Sequence, residues 1–405
     1  MRSIHLLSSV FGISPVLAWT ELHHAPFMNK NIDAIVAPGT YTSHMHTFFG
    51  SDAITNVLPT SAELQRGCYS GDNPNDLSVY WVPTLYYVDG DTFTEVAIFR
   101  FSTYYTNSYS DSAIPQDFAM ISGNASAHSQ AEADHPYNGL EWFCEGSSER
   151  ESDIAKLPTS TCDQHLQLNL LFPQCFNPDD HSEYDFADES NTCPEGMLQM
   201  PQLRYRVQYD TKSVAPDGWS GPAPFQLSCS DTPGDGYCFH ADFINGWFED
   251  AAENMLINGG GDYEDGQFIS GEHGTSAVKA TCTPTDQDPD NGTSDYYTSL
   301  EMMDDGAAAG DAVASDATVA TEDATSTSVA METVMTFATQ VAIPSTAMGP
   351  SASIQAQAPT QLLPLPVPTE SGVNRGCHRK FRRNIGQKLK DAAAKRVLGA
   401  LDARE

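Results

Sequence analysis

The chain has 405 residues, with 54 acidic against 20 basic side chains and a formal net charge of −34. Such an excess of carboxylates repels phosphate backbones, which argues against DNA or RNA as a partner of the body of the chain. At 40% hydrophobic residues it still carries enough apolar and aromatic material for a sizeable core.

Met1-Arg2, the short apolar stretch of residues 4–17 and the small residue closing Val16-Leu17-Ala18 read as an export signal over residues 1–18, with the mature chain starting at Trp19. The apolar run is too short to span a bilayer, and no later stretch reaches that length, so no transmembrane segment is expected. Residues 19–282 read as one globular unit. Ser43-His44-Met45-His46 comes early in it, and Thr60 with Glu63 forms a capping-box signal for a short helix. Residues 79–88 and 95–105 are rich in aromatic and β-branched side chains and flank Asp89-Gly90-Asp91, a hairpin signal. Residues 118–121 and 140–143 are shorter strand candidates. Leu166, Leu168 and Leu170 alternate with Gln167 and Asn169, as Leu203, Tyr205, Val207 and Tyr209 do with Arg204, Arg206 and Gln208, the period of a half-buried strand. Residues 225–228 are another short candidate. Residues 248–258 carry Phe248, Ala251, Ala252 and Met255 at helical spacing before Gly259. Many short strands, few helices and Pro/Gly-rich connections predict a mainly β, disulfide-stabilised sandwich or jelly-roll-like domain.

Composition changes after Cys282. Residues 283–370 contain no Lys, Arg or Cys, and 22 of the 88 are Ser or Thr, so this stretch reads as a disordered, acidic, O-glycosylated stalk unable to bury enough apolar surface to order itself. A chain ending after Cys282 is therefore expected to fold alone. Residues 371–405 hold ten of the twenty basic residues against three acids, a tail of +7 that leaves −41 on residues 1–370. Ile385, Leu389, Ala393, Val397 and Leu401 make this tail an amphipathic-helix candidate that could contact anionic surfaces.

Eight of nine cysteines lie between Cys68 and Cys282, an even set that suits disulfides in an oxidising compartment. Eight cysteines allow about 105 pairings. The turn-rich loop between Cys229 and Cys238 predicts that these two are joined. Cys144 with Cys162, Cys175 with Cys193, and Cys68 with Cys282 are the favoured remainder. Asn124-Ala125-Ser126 and Asn291-Gly292-Thr293 are glycosylation acceptors at Asn124 and Asn291, consistent with a secreted, extracellular or wall-associated protein.

Three separated words carry the chemistry: Ser43-His44-Met45-His46, Asp179-Asp180-His181-Ser182, and Phe239-His240-Ala241-Asp242-Phe243 running to Trp247. His44 and His46, two apart, face one way if extended, which suits two ligands to one metal. His181, His240, Asp242 or Glu183 would complete the shell for zinc, copper or another divalent transition ion. Acid–base chemistry by Asp180, His181 and Asp242 is a second reading, with Asp180 and Asp242 the candidates for a glycosidase pair. Hydrogen-bonded anchoring of loops is a third. A carbohydrate-binding module is a fourth, with Trp81, Tyr86 and Trp247 as candidate faces for cell-wall glycans. The metal reading places His44, His46, His181, His240 and Asp242 in one pocket, with Glu183 nearby.

The order of these words resembles a secreted family known as domain of unknown function 1996. The resemblance runs from Asp33 and Val36-Ala37-Pro38-Gly39 through Ser43-His44-Met45-His46 and Tyr80-Trp81-Val82-Pro83-Thr84-Leu85-Tyr86. It continues through Phe172-Pro173-Gln174-Cys175, Asp180-His181-Ser182 and Cys193-Pro194 to His240-Ala241-Asp242-Phe243-Ile244-Asn245-Gly246-Trp247, covering about residues 20–282. Two departures stand out. Phe176-Asn177-Pro178 replaces the family's Trp-Asp-Gly, and Glu183 stands where a second histidine is expected. The resemblance implies an extracellular, surface-associated domain and supplies no reaction.

Overall fold

The computed structural model describes residues 19–133, 135, 137–257 and 268–304. The export signal and the basic tail lie outside the described residues. In chain order the first strands are β1 (Trp19–His24), β2 (Met28–Lys30), β3 (His46–Gly50), β4 (Val79–Pro83), β5 (Leu85–Asp89) and β6 (Thr92–Glu95). They are followed by β7 (Ile98–Thr106), β8 (Ala119–Gly123), β9 (Glu141–Cys144), β10 (Leu166–Leu171) and β11 (Cys175–Asn177). The last are β12 (Asp180–Asp185), β13 (Leu198–Gln199), β14 (Gln202–Tyr209), β15 (Phe225–Leu227) and β16 (His240–Ile244). Helices are short: α1 (Ser61–Leu64), α2 (Gln130–Ala133) and α3 (Glu249–Ile257).

Two five-stranded antiparallel sheets, ordered β1-β7-β14-β10-β9 and β2-β3-β4-β16-β8, make a sandwich, with two three-stranded sheets beside them. The period-2 pattern explains the packing. Leu22, Phe101, Tyr105, Leu168, Leu203, Tyr205 and Val207 from the first sheet meet Phe49, Tyr80, Val82, Met120 and Phe243 from the second in one continuous core. Phe49 stacks on Phe101 at 3.9 Å, and the Tyr80 and Tyr105 hydroxyls meet at 2.7 Å with Asp76 accepting from Tyr80. Each buried aromatic of this kind contributes about 2–3 kcal/mol of transfer free energy.

The other face of the second sheet has its own apolar cluster. Phe48, Val79, Trp81 and Ile244 point away from the main core and are covered by Ile32, Ala34, Ile54 and Leu64. Leu64 arrives on α1, whose start is the expected capping box: Thr60 accepts from the Glu63 amide while the Glu63 carboxylate accepts from the Thr60 amide. This second face is where the histidine words fall.

Residues 79–88 differ from the expectation of one long strand. The chain leaves the sheet at Pro83, which has no amide to donate, and re-enters another sheet at β5. The hairpin over Asp89-Gly90-Asp91 joins β5 to β6, with Gly90 at φ 59°. All four disulfides favoured from the sequence form: Cys68–Cys282, Cys144–Cys162, Cys175–Cys193 and Cys229–Cys238.

The folded unit does not end at Cys282. Residues 283–304 pack on the domain and include a helix over 296–304. The Lys30 ammonium, buried at 3% exposure, lies 2.8 Å from Asp286 and also donates to the Asp288 carbonyl. Tyr41 donates to Asp288, Thr293 donates to Asn31 at 2.7 Å, and Tyr296 packs on Tyr86 at 4.3 Å. The stretch expected to be stalk thus begins with a strap, and its remainder lies outside the described residues.

A chain ending after Cys282 loses the Asp286 and Asp288 acceptors of Lys30 and the packing of Tyr296 on Tyr86. It should be about 1–3 kcal/mol less stable than one ending after residue 304, measured by urea unfolding; equal stability would show that the strap contributes nothing.

His24 gives an acid-sensitivity test. It is buried between Tyr80 and Phe101 and bonded to the Thr103 hydroxyl at 2.9 Å. Burial, with the neighbouring His23, pushes its pKa from 6.5 down to about 3. Between these values the unfolded chain binds a proton that the folded one refuses, so this contribution to stability is lost as pH falls through that window. Replacing His24→Gln should flatten the acid limb of the stability curve by up to about 1.4 kcal/mol per pH unit. An acid limb as steep as that of the parent would contradict the assignment.

Candidate metal centre

Strand register builds the cluster. On β3, Phe49 enters the main core and Phe48 the outer one, so His46 shares the outer face with Phe48. On β16, Ala241 and Phe243 point inward, which puts His240 and Asp242 outward with Ile244. Strand β4 lies between them, with Trp81 paired to Phe48 on one side and to Asp242 on the other. His46 pairs with Pro83, and the same register carried on sets His240 across from it. Two imidazoles therefore lean toward each other over the compact Pro83 ring. Gly123 makes room on the far side: it pairs with His240 at φ 92°, and a Cβ there would stand 2.7 Å from the His240 Cα.

His44 precedes β3 and brings its ring to 4.2 Å from that of His46 and 5.0 Å from that of His240. Asp33 arrives from the segment after β2, where one carboxylate oxygen accepts from the Ile35 and Val36 amides at 2.9 and 2.8 Å. Two overlapping donor sets result, His44/His46/His240 and Asp33/His46/His240/Asp242, each with ligand atoms within 4.8 Å of one another. His46, Asp242 and His240 are 0, 0 and 2% exposed.

The hydrogen bonds fix the tautomers. His46 Nδ1 lies 2.9 Å from the Ile32 carbonyl and His240 Nδ1 3.0 Å from the Cys238 carbonyl. A carbonyl only accepts, so each Nδ1 carries the proton and each neutral ring turns a bare Nε2 lone pair inward. Those two nitrogens are 3.2 Å apart. Burial holds all three histidines below the usual imidazole range, so added protons do not readily relieve this. Asp242 Oδ2 is 3.6 Å from His240 Nε2, yet neither of its carboxylate oxygens has a hydrogen-bond partner, and His44 Nε2 has none either. Burial first, then the nearby Asp33 charge, pushes the Asp242 carboxyl well above the usual carboxylate range. Unpaired lone pairs and a buried carboxylate around one point are the environment a cation would satisfy.

The structure brings together His44, His46, His240 and Asp242 of the residues expected from sequence. It adds Asp33, which opens the family-like stretch but offers no second acid or histidine beside it to mark it. His181, Asp180 and Glu183 belong to neither donor set. His181 sits edge-on to Phe176 and Phe118. Asp180 is exposed and accepts from Ser182, and Glu183 is exposed and accepts from Asn177 at 2.7 Å. The expected single shell including His181 and Glu183 is corrected accordingly. These side chains ride the β11–β12 hairpin, whose ladder turns them to solvent and to the Phe118 side. An exposed Asp180 and a fully buried Asp242 do not line one cleft as a glycosidase pair would. Trp81 and Trp247 are 0% exposed and Tyr86 is 5%, so the expected glycan-stacking faces are core instead.

No curated protein and no solved structure matches this chain. A family model does match, over residues 33–247, from the Asp33 of this cluster to the Trp247 that ends the β16 word. The chain belongs to the family described as domain of unknown function (DUF1996).

Proposed function

We propose that this is an exported domain that holds one divalent transition ion in the His44/His46/His240/Asp242 cluster and works at cell-wall polysaccharide. The observation that carries the metal assignment is the pair of Nε2 atoms 3.2 Å apart, each with its lone pair turned inward. Two imidazole nitrogens bound at about 2.05 Å to one ion and separated by that distance subtend about 100°. That is close to a tetrahedral angle, which favours zinc over a square-planar copper site. Asp242, with both oxygens unpaired, supplies the charge the ion needs, and His44 supplies a third nitrogen. Asp33 Oδ1 is already engaged by two amides, so Asp33 orients the segment and adds its charge from behind. Such a closed, buried donor set suits a structural centre that ties the segment 31–45 to the sheet.

Placement outside the cell rests on the four disulfides, which suit an oxidising compartment, together with the N-terminal signal and the two glycosylation acceptors. No described helix is long and apolar enough to cross a membrane. The wall-polysaccharide setting is supported by that export route and by the Ser/Thr-rich, acidic composition of the segment leading away from the domain.

Plasma mass spectrometry on the secreted, purified full chain should find about one equivalent of zinc, falling at least about tenfold in a His46→Ala/His240→Ala variant. Metal below about a tenth of an equivalent in the parent, with a melting temperature unmoved by chelators, would overturn the assignment.

The Asp242→Asn variant separates the metal from mere anchoring. If Asp242 is a ligand, Asn lowers both metal retention and the melting temperature of the loaded protein. If Asp242 only sits in the core, burial already favours its neutral form, so Asn leaves the melting temperature unchanged or raises it and leaves metal content unchanged.

A further inference from the structure

The Cys229–Cys238 disulfide is built into the donor cluster. It closes the excursion between β15, which ends at Leu227, and β16, which begins at His240. Each end of it adjoins a group that positions donor histidines.

On the β16 side, Cys238 lies two residues before His240, and its carbonyl accepts the Nδ1 proton of that histidine at 3.0 Å. That bond turns the His240 Nε2 lone pair toward His46 Nε2. Cys229 Sγ rests 3.2 Å from the same carbonyl oxygen. The bridge therefore packs against the atom that orients the imidazole.

On the β15 side, Ser228 precedes Cys229. Its hydroxyl donates to the Met45 carbonyl at 2.5 Å, and its amide donates to the Thr84 carbonyl at 2.9 Å. The Thr84 amide donates to that same Met45 carbonyl at 3.0 Å. Met45 is the residue between His44 and His46. The disulfide thus joins the anchor of His44 and His46 to the anchor of His240, although β4 separates β3 from β16 in the sheet. Cys238 is 2% exposed, whereas Cys229 is half-buried and is followed by the exposed Asp231, Thr232 and Pro233. A thiol arriving from solvent meets the Cys229 sulfur first.

We infer that the Cys229–Cys238 disulfide is a redox latch on the metal centre: closed, it holds the donors on the ion, and its reduction by an external dithiol releases the ion. The inference rests on the metal assignment made above. One sulfur of the dithiol attacks Cys229 Sγ, the Cys229–Cys238 bond breaks, and its electron pair leaves on the Cys238 sulfur. The second sulfur then attacks the mixed disulfide, which frees Cys229 and closes the reductant into its own disulfide. Two electrons and two protons pass from the dithiol to the cysteine pair. The ion itself is neither oxidised nor reduced. What it loses is the fixed Cys238 carbonyl behind His240, a support of the kind whose removal costs about 10- to 100-fold in metal affinity.

Zinc affinity of the full chain, measured by competition with a chelator, tests the latch. Cys229→Ser/Cys238→Ser should bind zinc at least about tenfold more weakly than the parent, while Cys175→Ser/Cys193→Ser, which opens the bridge of the small β11 sheet, should stay within about twofold even where its melting temperature falls. A second measurement needs no substitution. Graded reduction of the zinc-loaded parent by a phosphine, with a zinc indicator present and the freed thiols alkylated and mapped by mass spectrometry, should release zinc in step with labelling of Cys229 and Cys238. Equal affinity in the Cys229/Cys238 variant, an equal loss in the control, or release that follows the opening of another disulfide would overturn the latch and leave the metal centre standing. A parent that holds no zinc would overturn both.

Discussion

A buried carboxylate without a hydrogen bond is the constraint around which this domain is arranged. Asp242 sits on a central strand, fully enclosed, and the groups nearest to it are imidazoles whose remaining lone pairs also point inward. An unpaired buried ion costs several kcal/mol, which is why burial pushes this carboxyl well above the usual carboxylate range and why a cation at the centre would be a stabilising counter-charge. The sheet supplies His46, His240 and Asp242 through register alone. The covering segment supplies His44 and Asp33. Holding that segment down is therefore part of making the centre.

The strap does much of that holding. Lys30 stands directly opposite His46 on the neighbouring strand, and its buried ammonium is anchored by Asp286. Asn31 and Tyr41, on either side of Asp33, bond Thr293 and Asp288. Tyr296 packs with Met45, the residue between the two histidines of β3 and its approach. Cys68–Cys282 brings the chain to the point where the strap starts. The ion pair, the strap's hydrogen bonds and the candidate donors His44 and Asp33 thus act on one stretch of about fifteen residues, so loosening any one of them bears on the others.

Much of the sandwich was legible because one buried face imposes a period of two. Leu203, Tyr205, Val207 and Tyr209 could be read as inward, and their polar neighbours as outward, without knowing the partner strands. His44 and His46 were legible for the same reason, as were His240 and Asp242. What could not be read was which words share a face. His181 looks equivalent to His240 in sequence, but its strand belongs to a separate small sheet, and nothing local encodes that. Trp81 and Trp247 were ambiguous because an aromatic in a strand looks alike whether it meets a sugar or a core. The strap was hidden by composition: its docking depends on a few residues, chiefly Asp286, Asp288, Thr293 and Tyr296, in a stretch otherwise poor in apolar side chains. Asp33 was hidden because its role depends on a turn that folds back over the sheet.

X-ray absorption at the zinc edge of the secreted protein tests the central claim most directly, since it reads the ligands around the ion. The expected result is a shell of about four nitrogen and oxygen neighbours near 2.0 Å with the outer scattering of imidazole rings, weakened when His240 is replaced by alanine. A shell of sulfur, a hydrated ion without imidazole scattering, or a spectrum that His240→Ala leaves unchanged would contradict it.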